Sequence, residues 1–362
     1  MDIIKYNAIC NLGSNIDEVF ENALLGRADL FCIENKRRIA KINVELPEIK
    51  DEDYNIRCNQ ILLKCIEPLN IEQYDKNDLA VVCATTNTGV NEYEKTKNPK
   101  HFEIGNPAEF IHKFFKLKNF YTSVSTACSS GIKAFLIADE ILNSNLAKTV
   151  LVINTDAISK LPLYGFHSLE ILDKNQTNPF SKNRCGINIG EAAAAFILQK
   201  QGGKIKVKGM GETTDCYHST TPDPSGIEAI RAIKEAMNGN FDVDYINLHG
   251  TGTIANDLME AVAISSIFGN KVPASSTKPL TGHCLGAAAG IEIALCAKLL
   301  ENGGNKVFPH IYDGFYDETI PKIFLADKNT VTEKLKTCLC TSFGFGGTNT
   351  AILLGVDDEQ KI

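Results

Sequence analysis

One thiol and two imidazoles stand out as a set able to do chemistry together. Cys128 lies in the run Val124-Ser125-Thr126-Ala127-Cys128-Ser129-Ser130-Gly131. The imidazoles follow in His249-Gly250-Thr251-Gly252-Thr253 and Lys278-Pro279-Leu280-Thr281-Gly282-His283. A thiol nucleophile served by two histidines in small-residue loops is the equipment of acyl transfer through a thioester. Phe120 to Thr126 reads as a short strand, and Ile132, Phe135, Leu136, Ala138 and Ile141 recur at helical spacing, so Cys128 falls at a strand-to-helix turn. The partial positive charge and free N–H groups of a helix start predict a thiol biased toward thiolate. The other eleven of the twelve cysteines are expected to be buried and inert.

The elements that position these groups need a large core, and 362 residues at 44% hydrophobic content provide one, as two domains or as one large α/β unit. A net charge of −7 and the lack of a long basic block argue against nucleic acid as a main partner. The cysteines lie singly in apolar runs without a CxxC pair, and Cys338-x-Cys340 has no second cluster to complete a zinc site. A reduced, cytoplasmic setting without disulfides or a metal is expected. Neither a leader pattern nor an apolar run of about 18 residues predicts a membrane span.

The chain repeats its order of events. A helix-like stretch near Asn59 to Leu69, the strand Leu79–Cys83 and a Thr-Asn-Gly loop are answered by a helix near Gly226 to Met237, the strand Tyr245–Leu248 and the His249 loop. The Cys128 turn and its helix are matched by His283 to Leu300, and the strands Thr149–Asn154 and Ala192–Leu198 by Leu335–Thr341 and Thr350–Leu354. Alternating strands and helices with near-continuous apolar strands imply sheets covered on both faces. The boundary falls in the polar, glycine-rich Gln199–Gly203. The expectation is an N-terminal half, 1–200, carrying the nucleophile and a C-terminal half, 201–362, carrying the histidines.

With these motifs placed, the chain resembles the β-ketoacyl-acyl-carrier-protein synthases, condensing enzymes of the thiolase superfamily, and among them the elongating type with a Cys-His-His site. The likeness runs through the Cys128 turn, Asn178-Pro179-Phe180-Ser181 to Gly186, Gly190-Glu191-Ala192, His249 to Asp257, Lys278 to Glu292, and Ser342-Phe343-Gly344-Phe345-Gly346-Gly347. It implies a thiolase-like α/β fold of two pseudo-repeated halves in αβαβα layers. The implied reaction is decarboxylative Claisen condensation of malonyl-carrier with an acyl group held on Cys128. His249 and His283 would donate to the enolate, while a Lys278–Glu292 ion pair would orient the site. Phe345 would gate the acyl pocket and add its N–H to that of Cys128 in an oxyanion hole. Thr251 and Thr253 would hold the phosphopantetheine arm, which the carrier protein supplies, so no cofactor of its own is implied. Phe166 and Phe343 would line the pocket, and Asp257 and Glu260 would either support the site or begin a helix.

The implied partners are acyl carrier protein, acyl and malonyl thioesters and a second subunit in a homodimer or a heterodimer. A non-catalytic chain-length partner is the competing reading, although such subunits usually lose the nucleophile that this chain keeps. The chain departs from the family in two places. Ser181 and Cys185 stand in a segment that usually carries an aspartate, and the stretch from Gly89 to Asn106 is short. Fatty-acid elongation and a dedicated polyketide or aryl-polyene-like system therefore both remain open. His101, His112, His167 and His310 read as structural or surface residues, and His218 as near the substrate without a chemical step.

Overall fold

Along Thr149–Asp156 every side chain is buried, yet neighbours go to different cores: Val150 and Val152 to one, Leu151 and Ile153 to another. A strand with two buried faces needs a helical layer on each side. The computed structural model, which describes residues 1–34, 36–239 and 242–357, supplies both layers.

The first half contains β1 (Asp2–Ile9), α1 (Ile16–Leu24), β2 (Cys32–Glu34), β3 (Arg37–Ile39), α2 (Arg57–Ile66), β4 (Leu79–Ala84) and α3 (Val90–Thr96). It continues with α4 (Asn106–Phe114), β5 (Tyr121–Val124), α5 (Ser130–Asn143), β6 (Thr149–Asp156), α6 (Lys160–Ser168) and β7 (Ala192–Gln199). The second half contains β8 (Ile205–Thr214), α7 (Ile227–Met237), β9 (Tyr245–Asn247), α8 (Ile254–Phe268), β10 (Ala274–Ser275), α9 (Lys278–Thr281), α10 (Ala288–Asn302), β11 (Thr337–Gly344) and β12 (Thr348–Val356).

Among the described residues, strand order is β10-β9-β11-β12-β8-β1-β7-β6-β4-β5, with five strands from each half. The repeat extends to strand direction. In the first half β5, β4 and β6 run parallel while β7 and β1 pair antiparallel; in the second β10, β9 and β11 run parallel while β12 and β8 pair antiparallel. The halves meet along a short seam where Asp2 and Ile3 pair with Lys206 and Ile205.

The three cores give the layers. α2 and α4 pack with the outer residues of β4, β6 and β7; α5 and α10 pack with the inner residues of both sets of strands; α7 and α8 cover the far side. The αβαβα order is the one the resemblance implies. The edge-on contact of Phe135 on α5 with Phe196 on β7, centroids 4.9 Å apart, adds about 0.5–1.5 kcal/mol to their burial.

Strand β8 carries little strand signal, and α7 shows why. A Cβ at Gly211 would come within 2.0 Å of Ala232 O, and one at Gly209 within 2.2 Å of Ala236 O, so the helix packs directly on bare backbone. Helix α6 has no buried residue and therefore no apolar stripe to read. The short stretch after Gly89 closes on itself: the Gly89 N–H and the Thr88 hydroxyl both donate to His101 O, each at 3.0 Å.

Candidate active site

Cys128 sits at the turn between β5 and α5, and that turn is built from short hydroxyl bonds. Ser130 Oγ accepts from Thr126 N–H at 2.9 Å and donates to Ala127 O, while Ser129 donates to Thr126 O at 2.6 Å. Ala127 takes a left-handed φ of 53°, a conformation that costs roughly 1–2 kcal/mol in a non-glycine residue. Ser342 of β11 donates to Cys128 O at 2.9 Å, tying the turn to the second half.

The two histidine loops reach the same point. One ligand atom each of Cys128, His249 and His283 lies within 4.8 Å of the other two, and all three residues are buried. The imidazole centroids are 5.6 Å apart with planes at 87°. His283 Nδ1 accepts from Leu285 N–H at 3.0 Å, and His249 Nδ1 faces the Lys278 ammonium at 3.3 Å. A nitrogen that accepts is unprotonated, so each neutral ring carries its proton on Nε2. Burial holds both rings neutral, helped by the Lys278 charge: His283 falls to about 3, and His249 moves well below the ordinary histidine value.

Cys128 departs from expectation. Burial pushes its thiol up to about 11, although the Lys278 charge and the N–H groups of Cys128 and Phe345 act in the opposite direction. The helix start is in place, but removal from water outweighs it, so the resting group is the thiol. The same two N–H groups lie beside the sulfur.

Lys278 and Glu292 form a buried pair at 2.6 Å with side chains each 2% exposed, and the lysine also donates to His249 O. Glu260 settles between its two sequence readings: fully buried, it accepts from His249 N–H at 2.8 Å, Gly250 N–H at 2.7 Å and the Thr341 hydroxyl at 2.8 Å. Asp257 accepts from Phe180 N–H at 2.8 Å and Gly252 N–H at 3.2 Å. Burial raises the Asp257 carboxyl to about 6 and that of Glu260 to about 7. Both carboxylates hold the His249 loop.

A cavity of about 410 Å³ opens from the Cys128 cluster. Thr251, Thr253, Phe166, Phe343, Phe345 and His218 line it, which brings the remaining candidates into one volume. The Thr251 and Thr253 hydroxyls bond to each other at 2.9 Å. Phe345 meets Phe166 edge-on, centroids 5.8 Å apart. Its neighbouring glycines play different parts. Left-handed φ occurs at Gly346 and Gly347, whereas Gly344 is small for packing, since a Cβ there would lie 2.7 Å from Thr126 O.

Two other readings change. Cys185 and Cys216 are exposed rather than buried because they lie in loops, and Cys185 lines the cavity. Ser181 donates to Asp313 Oδ1 and Asn183 to Asp313 Oδ2, each at 2.8 Å, so a carboxylate from the second half serves the segment that lacks its own. Arg184 pairs with Asp317 at 2.5 Å and sits 3.8 Å from Asp257. Sequence reasoning missed Asp156, whose signal was a lone carboxylate closing an apolar strand, and Leu285, which had none.

Residues 71–202 match the family described as Beta-ketoacyl synthase, N-terminal domain, and residues 205–311 match Beta-ketoacyl synthase, C-terminal domain. The chain is 31% identical over 264 residues to the ketoacyl synthase alpha subunit of the tetracenomycin polyketide synthase from Streptomyces glaucescens, covering 66% of this chain and 61% of that protein. It is 32% identical over 262 residues to 3-oxoacyl-[acyl-carrier-protein] synthase 2 of Coxiella burnetii, covering 66% and 63%. These alignments span about three fifths of the length of the curated relatives. Among solved structures, the ketosynthase ApeO in complex with its chain length factor ApeC, from Xenorhabdus doucetiae, superposes with a TM-score of 0.91 at 31% identity over 98% of both chains. The ishigamide ketosynthase/chain length factor, at 20% identity and a TM-score of 0.86, shares the fold. With both family segments matched in chain order and a solved ketosynthase superposed almost end to end, the chain belongs to the β-ketoacyl synthase family.

Proposed function

We propose that the protein is a β-ketoacyl-acyl-carrier-protein synthase that condenses malonyl-carrier with an acyl group held on Cys128. The observation that carries this reading is the convergence of Cys128, His249 and His283 within 4.8 Å at the buried end of one cavity. Its two halves, 1–200 and 201–362, divide the work between nucleophile and histidines.

In the first half-reaction the Cys128 sulfur attacks the carrier thioester and the carrier thiol leaves. The thiol proton must depart with it, because thiolate is scarce in a group held at about 11. The N–H groups of Cys128 and Phe345 receive the carbonyl oxygen. In the second, malonyl-carrier loses CO₂, and the two Nε2–H groups donate to the enolate oxygen. The carbanion then attacks the Cys128 thioester and releases the ketoacyl product and the Cys128 thiolate, which takes up one proton from solvent to return to the thiol. Donors already aimed at the forming charge account for most catalysis of this kind. Thr251 and Thr253 hold the pantetheine arm that the carrier brings, and Lys278 and Glu292 orient the His249 loop. A thiol and two imidazoles are also donors suited to zinc, but the Lys278 charge 3.3 Å from His249 disfavours a second cation there.

The partners in this reading are an acyl carrier protein and a second subunit, in a reduced cytoplasmic setting. Among the described residues no helix is long and apolar enough to cross a membrane. A second subunit has a face to cover: α6 leaves Leu161 and Tyr164 exposed. The test mixes the purified chain with acyl-carrier and malonyl-carrier and follows CO₂ and ketoacyl product by mass spectrometry. Product from the chain alone supports a homomeric enzyme, and product only with a related subunit supports a heterodimer. No product and no acylated Cys128 under either condition rejects the activity.

A further inference from the structure

The loop after β4 and the turn after His283 belong to different halves of the chain, and one carboxylate joins them. Asp156 closes β6 with no exposed surface, and six donors converge on it. From the first half come the hydroxyls of Thr85 at 2.9 Å and Thr86 at 2.7 Å, the N–H groups of Thr86 at 3.0 Å and Asn87 at 3.1 Å, and the Asn87 amide at 3.1 Å. From the second comes Gly286 N–H at 2.7 Å. With donors on every side, the ionised, acceptor-only form is the one that fits, even though burial works against it.

The contact at Gly286 is built for closeness, since a Cβ there would lie 2.8 Å from Asp156 Oδ2. The preceding residue, Leu285, takes a left-handed φ of 53°, a strain that persists only when its surroundings impose it. Two successive N–H groups thus point different ways: that of Leu285 to His283 Nδ1 and that of Gly286 to Asp156.

The structure assigns Asp156 as a positioning residue for His283. By holding the Gly286 N–H it keeps Leu285 in its strained turn, and that turn presents the N–H which makes Nδ1 an acceptor and leaves the proton on Nε2. Without the anchor Leu285 relaxes, Nδ1 loses its partner and the ring is free to take either tautomer. The tautomer claim rests on geometry alone; its catalytic consequence rests on the condensing activity proposed above.

The test is histidine ¹⁵N NMR on the full-length protein. In the wild type, His283 should show an unprotonated Nδ1 and a protonated Nε2; a protonated Nδ1 overturns the proposal without any variant being made. Asp156→Asn places an amide donor among donors, and a mixed His283 tautomer is expected. Thr86→Val removes one donor to Asp156 but spares the Gly286 bond, so it should cost stability and leave the tautomer unchanged. In activity, Asp156→Asn should lose about tenfold to a hundredfold in malonyl decarboxylation, with self-acylation of Cys128 within about twofold. A folded Asp156→Asn protein with the wild-type tautomer overturns the assignment. A shifted tautomer in a protein that never condenses any carrier thioester upholds the assignment and rejects the proposed function instead.

Discussion

Lys278 donates to one oxygen of Glu292 at 2.6 Å, while the other oxygen of that carboxylate has no hydrogen-bond partner among the described residues. The glutamate is therefore present chiefly to balance the lysine charge. Glu292→Ala should lower stability by about 3–5 kcal/mol in urea denaturation, because it strands a buried ammonium. The double replacement Lys278→Met with Glu292→Leu should recover most of that stability without recovering activity, since His249 loses its ammonium neighbour. Equal stability losses in the single and double variants would contradict this reading.

The paired Nε2–H donors predict a split between half-reactions. His249→Ala and His283→Ala should each reduce malonyl decarboxylation by about 10²–10³-fold, the usual loss on deleting one donor to a developing oxyanion. Self-acylation of Cys128 should fall less, because the Cys128 and Phe345 N–H groups remain. Radiolabelled CO₂ release and intact-protein mass measure the two steps, and equal losses in both would count against the assignment.

His283 sets a pH dependence. Its folded value of about 3 lies below the ordinary histidine value of 6.5, so the unfolded chain binds this proton first on acidification. The contribution is present above about pH 6.5 and is lost progressively as pH falls toward 3. Glu260, raised to about 7, acts in the opposite sense, its contribution being lost as pH rises. The comparison is therefore between wild type and His283→Asn: from pH 7.5 to pH 5 the urea midpoint of the variant should fall less. Parallel slopes would show that His283 does not titrate as its burial demands.

Cys128 should behave as a selective thiol rather than a generally reactive one. At about 11 its thiolate fraction at pH 7 is on the order of one in ten thousand. Iodoacetamide at neutral pH should mark the exposed Cys216 first, ahead of Cys185, whose thiol is also pushed up to about 11 by burial and the neighbouring Asp173, whereas an acyl-carrier thioester should mark Cys128 alone. Peptide mapping after each reagent decides, and acyl transfer to any other cysteine removes Cys128 from its role.

Phe345→Ala should keep the fold and raise CO₂ release relative to ketoacyl product, because the ring lines the cavity against Phe166 and the following glycines allow it to swing. An unchanged ratio in a well-folded variant would reduce Phe345 to packing.

The cluster was legible because each member lies in a loop of small residues beside an apolar element, and the halves were legible because β4, β6, β7, β11 and β12 are nearly continuous apolar runs. What stayed hidden depends on contacts between distant segments. Gly209 and Gly211 mask β8 until α7 lies on them, and Leu285 looks like an ordinary apolar residue until its strained turn is seen. The Cys128 thiol was misjudged for a related reason: a helix start can be read from sequence, but the depth at which its sulfur lies cannot. The carboxylate that Asp313 lends to Ser181 crosses from one half to the other, and spacing along the chain carries no trace of it.

The repeated architecture has an electrostatic consequence that neither half has alone. Cys128 stands just before α5, and His283 stands just before the turn that leads into α10, at equivalent places in the two halves. Because these residues meet within 4.8 Å, the segments that lead into two helix N-termini converge on one small volume. Each contributes roughly half a positive charge without any ion being bound. Doubling the fold thus brings two helix starts toward one cluster, and the buried Asp156 on the Gly286 N–H offsets part of their positive field at the α10 end.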